Sequence, residues 1–278
     1  MTTRVAIPSR GRLRDFVLGL LGDAGYNTNP FVGTGALAAI DGIELVEMRP
    51  RDAAAWLATG RINGAFISTD LVMEEELGAL DAMPLGAVRS ELVLAARDDG
   101  PATEADLPEG AVVATHLPRV TTTWLADRGV KATVVTMGGA LEGICAAGLA
   151  EAIVDLRETG ASLAQNRLRV IRTIAACEAL FVHEGDDGLA EFELRIRGVL
   201  DARQRRYVML HLAPDAVDRL KDLFPGLAAP TILPLAGRDD IVAVHLVADS
   251  ALFWSRLHDL QALGATGIVA LPPDALVN

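Results

Sequence analysis

A chain of 278 residues, 51% hydrophobic and 22% charged, has room for two or three compact units and reads as folded throughout rather than disordered. Its formal net charge of −12 argues against the basic face a nucleic-acid partner requires, yet leaves room for a small phosphorylated ligand held by a few arginines and backbone N–H groups. No apolar run reaches the roughly 18 residues that span a bilayer, and the opening MTTRVAIPSRGR lacks a signal-peptide core, so a soluble cytoplasmic protein without membrane association is expected. Cys145 and Cys177 stand in apolar surroundings without metal-ligand spacing and read as buried thiols.

The first β-rich run, 5–7, leads into a helix over 13–24, where Phe16, Leu18, Leu20 and Leu21 recur before Gly25 stops it. Strands are predicted at 43–48, 64–67, 92–95, 111–114, 133–135 and 152–156, with helices near 53–59, 71–80, 121–127 and 140–149. This alternation predicts an α/β fold with mostly parallel sheets. The acidic stretch 98–110, DDGPATEADLPEG, is rich in Pro and Gly and reads as a surface loop. After a helix over 188–203 the order becomes strand 207–212, helix 215–224, strands 231–235 and 241–247, helix 251–263 and strand 267–271. That is the βαββαβ arrangement of a ferredoxin-like module. Phe253, Leu257, Leu260 and Leu263 give its second helix one apolar face.

The strongest local signal lies between Glu151 and Leu163. A buried strand carries Asp155 near its end, and Glu158, Thr159, Gly160, Ala161 and Ser162 then lead into a helical stretch. Ligands of open α/β sheets sit at the carboxyl ends of strands, and a glycine there lets backbone N–H groups approach an anion. Thr159 and Ser162 add hydroxyls, and Asp155 suits ribose hydroxyls or a Mg²⁺ ion. The residues alone leave equally open that Thr159-Gly160 only turns the chain and Ser162 caps a helix.

A second strand-turn-helix junction, Pro8 to Leu13, places Arg10, Gly11 and Arg12 where guanidinium groups suit a polyphosphate. A Ser-capped helix with solvated arginines fits it equally well. Arg49-Pro50-Arg51-Asp52 carries the same ambiguity, and Glu142, after Gly138-Gly139-Ala140, either faces a ligand or complements a helix dipole. His116, His183, His211, His245 and His258 show no zinc spacing; His116, which follows a strand, either lies near a cleft or, the favoured reading, sits on a surface loop. A nucleophile elbow, a Walker A motif and a dinucleotide fingerprint are all missing.

Taken in order, PSRGRL (8–13), RPRD (49–52), STDLV (68–72), VATHLP (113–118), GGALE (138–142), GLAEAIVDLRETGASLAQNRL (148–168), PTILPLAG (230–237) and LFWSRLHDLQALGATGIVALP (252–272) resemble the long-form ATP phosphoribosyltransferases of histidine biosynthesis. The resemblance covers essentially the whole chain. It implies a two-lobed, periplasmic-binding-protein-like catalytic part, with one lobe from 1–90 and 178–203 and the other from 91–177. A C-terminal ferredoxin-like, ACT-like regulatory domain would follow at 204–278. It further implies transfer of phosphoribosyl from phosphoribosyl pyrophosphate to N1 of ATP with release of pyrophosphate, Mg²⁺ dependence, feedback inhibition by histidine, and dimers and hexamers.

Carried onto this chain, the resemblance makes Glu142 and Asp155 catalytic, and gives Asp155, Glu158, Thr159, Gly160, Ala161 and Ser162 to the phosphoribosyl donor. Arg10, Gly11, Arg12, Arg49 and Asp70 would line the ATP side; His211, Leu227, Ala229, Thr231 and Ala270 would hold histidine. Mg²⁺ would be carried mainly by substrate, with Asp155 as a further ligand. The chain departs from the family pattern at Arg10 (usually Lys), Ser68 (Gly), Glu91 (basic or small polar), Leu117 (Tyr), Thr122 and Thr123 (a basic pair) and Arg157 (apolar). These departures keep two other readings open: a divergent phosphoribosyltransferase with another nitrogenous acceptor, and a non-catalytic histidine-binding or assembly subunit.

Overall fold

The computed structural model describes residues 2–33, 35–185, 187–224 and 230–277. The chain divides into two compact units, 1–19 with 27–189 and 20–26 with 190–278. The elements run β1 (Thr3–Pro8), α1 (Gly11–Asp23), β2 (Leu37–Ile40), β3 (Ile43–Met48), α2 (Pro50–Ala58), β4 (Gly64–Ser68), α3 (Thr69–Glu74) and β5 (Asp81–Pro84). They continue with β6 (Ser90–Arg97), β7 (Ala111–Thr115), α4 (Pro118–Ala126), β8 (Ala132–Thr136), α5 (Leu141–Ala146), β9 (Ala152–Arg157), α6 (Ala161–Gln165), β10 (Leu168–Cys177) and β11 (Ala179–His183). Last come α7 (Ala190–Arg203), β12 (Arg205–Leu212), α8 (Val217–Leu223), β13 (Thr231–Leu235), β14 (Arg238–Asp249), α9 (Ser250–Ser255), α10 (Leu257–Ala262) and β15 (Thr266–Leu271).

The first unit holds two sheets, and these are the two lobes. One has the order β2-β3-β1-β4-β11-β5, the other β10-β6-β9-β7-β8. The sheets are mixed rather than mostly parallel as expected: β3-β1-β4 in the middle of the first and β9-β7-β8 along one side of the second are parallel, and antiparallel strands complete both. The chain leaves the first sheet after β5 and returns after β10. These two crossings bond to each other, Leu85 N–H to Ala179 O at 3.0 Å and Ala179 N–H to Ala87 O at 3.1 Å. A double crossing between two open α/β sheets is the periplasmic-binding-protein-like layout. One apolar cluster runs through both lobes, joining Ala53, Leu57 and Ile67 of the first to Leu92, Leu117 and Trp124 of the second.

The second unit is a four-stranded antiparallel sheet ordered β13-β14-β12-β15, the strand order of a ferredoxin-like βαββαβ module. Its core is Val208, Leu210, Leu212, Leu220, Phe253 and Leu260, with neighbours. Helix α7, expected with the first lobe, groups with this sheet together with residues 20–26. There Phe192 packs against Tyr26 with centroids 5.2 Å apart, and Arg203 pairs with Asp23 at 2.8 Å.

Several helices are shorter than the hydrophobic pattern predicts, for backbone reasons. The helix expected at 71–80 ends at Glu74, because Glu76 turns to a left-handed φ of 56°. That expected at 140–149 begins only at Leu141, since Ala140 also takes a positive φ of 59°. The span 251–263 divides into α9 and α10 at Arg256, whose φ of −103° and ψ of 6° leave the helical region.

Candidate functional site

Because β1, β3 and β4 run parallel, they end at one edge of the first sheet. Arg10, Arg49 and Asp70 follow those ends directly. In the second sheet β7, β8 and β9 are parallel likewise, so His116, Glu142 and the loop 158–162 follow its carboxyl edge. Open α/β sheets bind ligands at such edges.

Asp155 lies two residues before the end of β9 and is half-buried. Its Oδ1 accepts the Leu156 N–H at 2.7 Å, and His116 Nδ1 stands 3.4 Å from the same oxygen. Burial raises the Asp155 pKa above the ordinary carboxylate range; His116 and the Leu156 N–H pull it back, while Glu142 and Asp70 push it further up. Asp70 is 2% exposed, and its Oδ1 has no hydrogen-bond partner among the described residues. Its pKa is raised too, first by burial, against the Ser68 hydrogen bond and the charge of His116. His116 is thus the group both carboxylates share, one from each lobe. The surface-loop reading of His116 is corrected: Arg51 donates to its carbonyl from the other lobe, and its side chain is only 24% exposed. Sequence spacing carries no signal for this, since the partners lie on other elements.

On the same edge Ser162 Oγ donates to Glu142, tying the first turn of α5 to the start of α6. Gly160, with φ 78° and ψ 0°, takes the left-handed turn into α6 that a Cβ disfavours. Thr159 Oγ1 accepts the Ala161 N–H at 3.4 Å. The N–H groups of Gly160, Ser162 and Leu163 have no protein acceptor among the described residues, which leaves donors open to an anion. Glu158, an awkward neighbour for a phosphate, pairs with Arg12 of the other lobe. Arg10 and Arg49 have no ion-pair partner among the described residues.

Three of the departures from the family pattern have partners here. Glu91 and Arg157 face each other in the β6–β9 register and form an ion pair, and Ser68 hydrogen-bonds to Asp70. Leu117 is fully buried in the shared core, while Thr122 and Thr123 are exposed. Of the other histidines, His183 is buried, stacks on Phe181 and accepts the Gly185 N–H at 3.1 Å, a structural role. Both cysteines are buried, and desolvation pushes the Cys177 thiol up to about 11.

In the second unit the residues expected to hold histidine divide. Thr231 pairs with His245, and His211 with Ala243, on the sheet face that also carries Tyr207 and its 2.7 Å bond to His245. Ala270 pairs with the fully buried Val208 and so belongs to the opposite, core face. There it helps line a depression of about 600 Å³ with Phe253, Trp254, Leu257 and Gln261. Leu227 and Ala229 lie outside the described residues.

Comparison with known proteins agrees with this layout. The family model described as ATP phosphoribosyltransferase matches residues 49–198, and that described as HisG, C-terminal domain, matches 202–273. A protein of Methanothermobacter thermautotrophicus named ATP phosphoribosyltransferase is 33% identical over 100% of both chains. One of the same name from Halobacterium salinarum is 34% identical over 99% of this chain and 100% of its own. A solved Thermotoga maritima structure, an ATP phosphoribosyl transferase (HisG:HisZ) complex, superposes with a TM-score of 0.62 at 26% identity, covering 72% of this chain and 98% of that one. The chain belongs to the ATP phosphoribosyltransferase family, the enzymes of the first step of histidine biosynthesis.

Proposed function

We propose that the facing strand edges of the two lobes bind phosphoribosyl pyrophosphate and ATP and join the ribose C1′ to adenine N1 as pyrophosphate leaves. The observation that carries this reading is the convergence of Asp70, His116 and Glu142 on Asp155, with Ser162 of the adjoining turn bonded to Glu142. Asp155 takes the ribose hydroxyls of the donor, and Glu158, Thr159, Gly160, Ala161 and Ser162 cradle its 5′-phosphate through open N–H groups and hydroxyls. Arg10, Gly11, Arg12, Arg49 and Asp70 form the ATP side, where the exposed guanidinium groups match phosphate oxygens. Glu142 stands beside the reacting centre.

Adenine N1 attacks with a neutral lone pair, so no activated serine or cysteine is needed. The residues act by aligning two bulky anions and stabilising the charge that develops on the leaving group. Among the described residues no three His, Cys, Asp or Glu side chains converge as a metal cage. Mg²⁺ would enter mainly on the substrate phosphates, Asp155 could add one carboxylate oxygen, and the ion would neutralise the departing pyrophosphate.

The second unit is read as the histidine-sensing and assembly domain. Leu233, Val269 and Leu271 are 45%, 44% and 48% exposed on its sheet, an apolar surface consistent with dimers and hexamers of the chain. His211, Thr231 and Ala270, with Leu227 and Ala229, are the proposed histidine contacts. Among the described residues no helix is long and apolar enough to cross a membrane, and the cytoplasm, where ATP is made available to biosynthesis, is the proposed location.

Pyrophosphate release measured with ATP, GTP, AMP and free adenine as acceptors tests the assignment. Release that requires ATP and ceases on chelation of Mg²⁺ is expected. Equal release with an acceptor lacking adenine would overturn the ATP side. Calorimetric titration with histidine should give saturable binding, and none would remove the sensing role.

A further inference from the structure

We propose that Glu91 and Arg157 form a strut that holds the donor loop in its binding shape, which makes both of them positioning residues for the phosphoribosyl donor. The proposal rests on the reading of 158–162 as the donor seat.

Arg157 ends β9 and joins strand to loop at its two extremes. Its stem runs under the turn: the position a Cβ would take on Gly160 lies 3.6 Å from Arg157 Cδ and 4.0 Å from Cγ. The stem therefore covers the bare side of the left-handed residue that starts α6. A side chain long enough to do so carries its guanidinium beyond the strand, where it needs a carboxylate. Glu91 supplies one from directly across the antiparallel register, accepting from Nε at 3.1 Å and also from Nη2. Both donors converge on one carboxylate oxygen, Oε2, so the contact anchors the end of the Arg157 side chain beside Glu91.

The foundation at Glu91 is firm. Strand β6 is laddered on both sides, and Glu91 faces Ala176 of β10 as well as Arg157 of β9. Two other side-chain ties hold this loop to distant elements, Arg12 to Glu158 and Ser162 to Glu142, and both use groups assigned to substrates. Those ties must rearrange when ligands enter. The Glu91–Arg157 pair has no such assignment and keeps the turn in place throughout.

The two side chains are 42% and 34% exposed, so water screens the pair. Partly exposed pairs of this kind change an equilibrium by about 2- to 5-fold. Steady-state kinetics of the full-length chain, with donor and ATP varied separately, test the strut in E91Q, R157M and E91Q/R157M. The donor KM should rise about 2- to 5-fold in each single variant, stay at the level of the worse single in the double, and the ATP KM should not move. R157K, which keeps stem and charge, should recover part of the loss.

Multiplying effects in the double variant, an ATP KM that rises in step with the donor KM, or an unmoved donor KM would overturn the proposal. Thr159→Val separates it from the reading beneath it. If that substitution raises the donor KM while E91Q and R157M do not, only the strut fails; if it too leaves the donor KM unchanged, the donor seat and the strut fall together.

Discussion

Glu74 offers the sharpest test of how the two lobes are held together. It ends α3 in the first lobe, is 8% exposed, and accepts the N–H groups of Arg119 and Val120 at 3.0 Å each. Those are donors of the first turn of α4, which no residue of that helix can satisfy, and Leu117 at its N-cap makes no side-chain cap. A carboxylate from one lobe therefore caps a helix of the other. In Glu74→Ala two donors lose their acceptor, that of the buried Val120 and that of the more exposed Arg119. An unsatisfied buried donor costs about 1–3 kcal/mol and a lost cap about 1 kcal/mol, so the combined loss should be roughly 2–4 kcal/mol. At about 2–4 °C per kcal/mol for a unit of this size, the Tm should fall by roughly 4–16 °C. Glu74→Gln keeps one acceptor and should lose about half as much.

Tryptophan fluorescence is well placed to follow this unfolding. Trp124 lies on α4 and is 8% exposed, whereas Trp56 and Trp254 are 52% and 59% exposed, so Trp124 dominates the change of environment. The melt should be run at one protein concentration for all variants. A loss below about 0.5 kcal/mol in Glu74→Ala, the range of ordinary surface substitutions, would refute the cap as a joint between lobes.

Asp155→Asn should lower turnover on the order of 10²-fold while the far-ultraviolet spectrum and Tm stay near those of the parent; near-normal turnover would remove Asp155 from the chemistry. Asp70 tests the buried charge through pH. Its native pKa lies above the 3.8 of a free carboxyl, so its contribution favours folding at low pH and is lost as pH rises through the native value. Asp70→Asn should therefore stabilise the chain at neutral pH relative to the parent, with the advantage shrinking as the solution is acidified; a difference in Tm that is constant with pH would contradict this. Gly160→Ala should cost about 1–2 kcal/mol from its left-handed backbone alone, since at 3.6 Å the new methyl makes only ordinary contact with Arg157, and by disfavouring that turn it should raise the donor KM. An unchanged Tm would show that the turn is not held in that conformation.

Much of this architecture can be read from the residues because it is periodic. The strand Gly64–Ser68 and the first half of Ala152–Arg157 are apolar runs buried on both faces, and their alternation with helices points to open α/β sheets. The less periodic elements are hidden. Strand β10 carries two irregularities in register, between Val170 and Arg172 and between Thr173 and Ala175, which break the alternation. Strands β2 and β5 are four-residue edge strands, one closed by a proline. Helix ends at Glu74 and Leu141 are set by positive φ at Glu76 and Ala140, residues whose types give no such warning.

The site divides along the same line. Asp155, Gly160 and Ser162 lie on one strand-turn-helix junction and can be recognised there. His116 becomes visible only when two sheets bring Asp70 and Asp155 to it, and Glu91 with Arg157 only when the register of β6 on β9 is known. Each looks unremarkable, or out of place, in the linear order.

The central claim is tested most directly by looking for the product. Full-length protein incubated with ATP, phosphoribosyl pyrophosphate and Mg²⁺ should form N1-phosphoribosyl-ATP, seen as a rise in near-ultraviolet absorbance and by mass, with one pyrophosphate released for each product formed. Pyrophosphate release that proceeds without ATP, or no adduct under conditions where a control enzyme of the family turns over, would contradict the account.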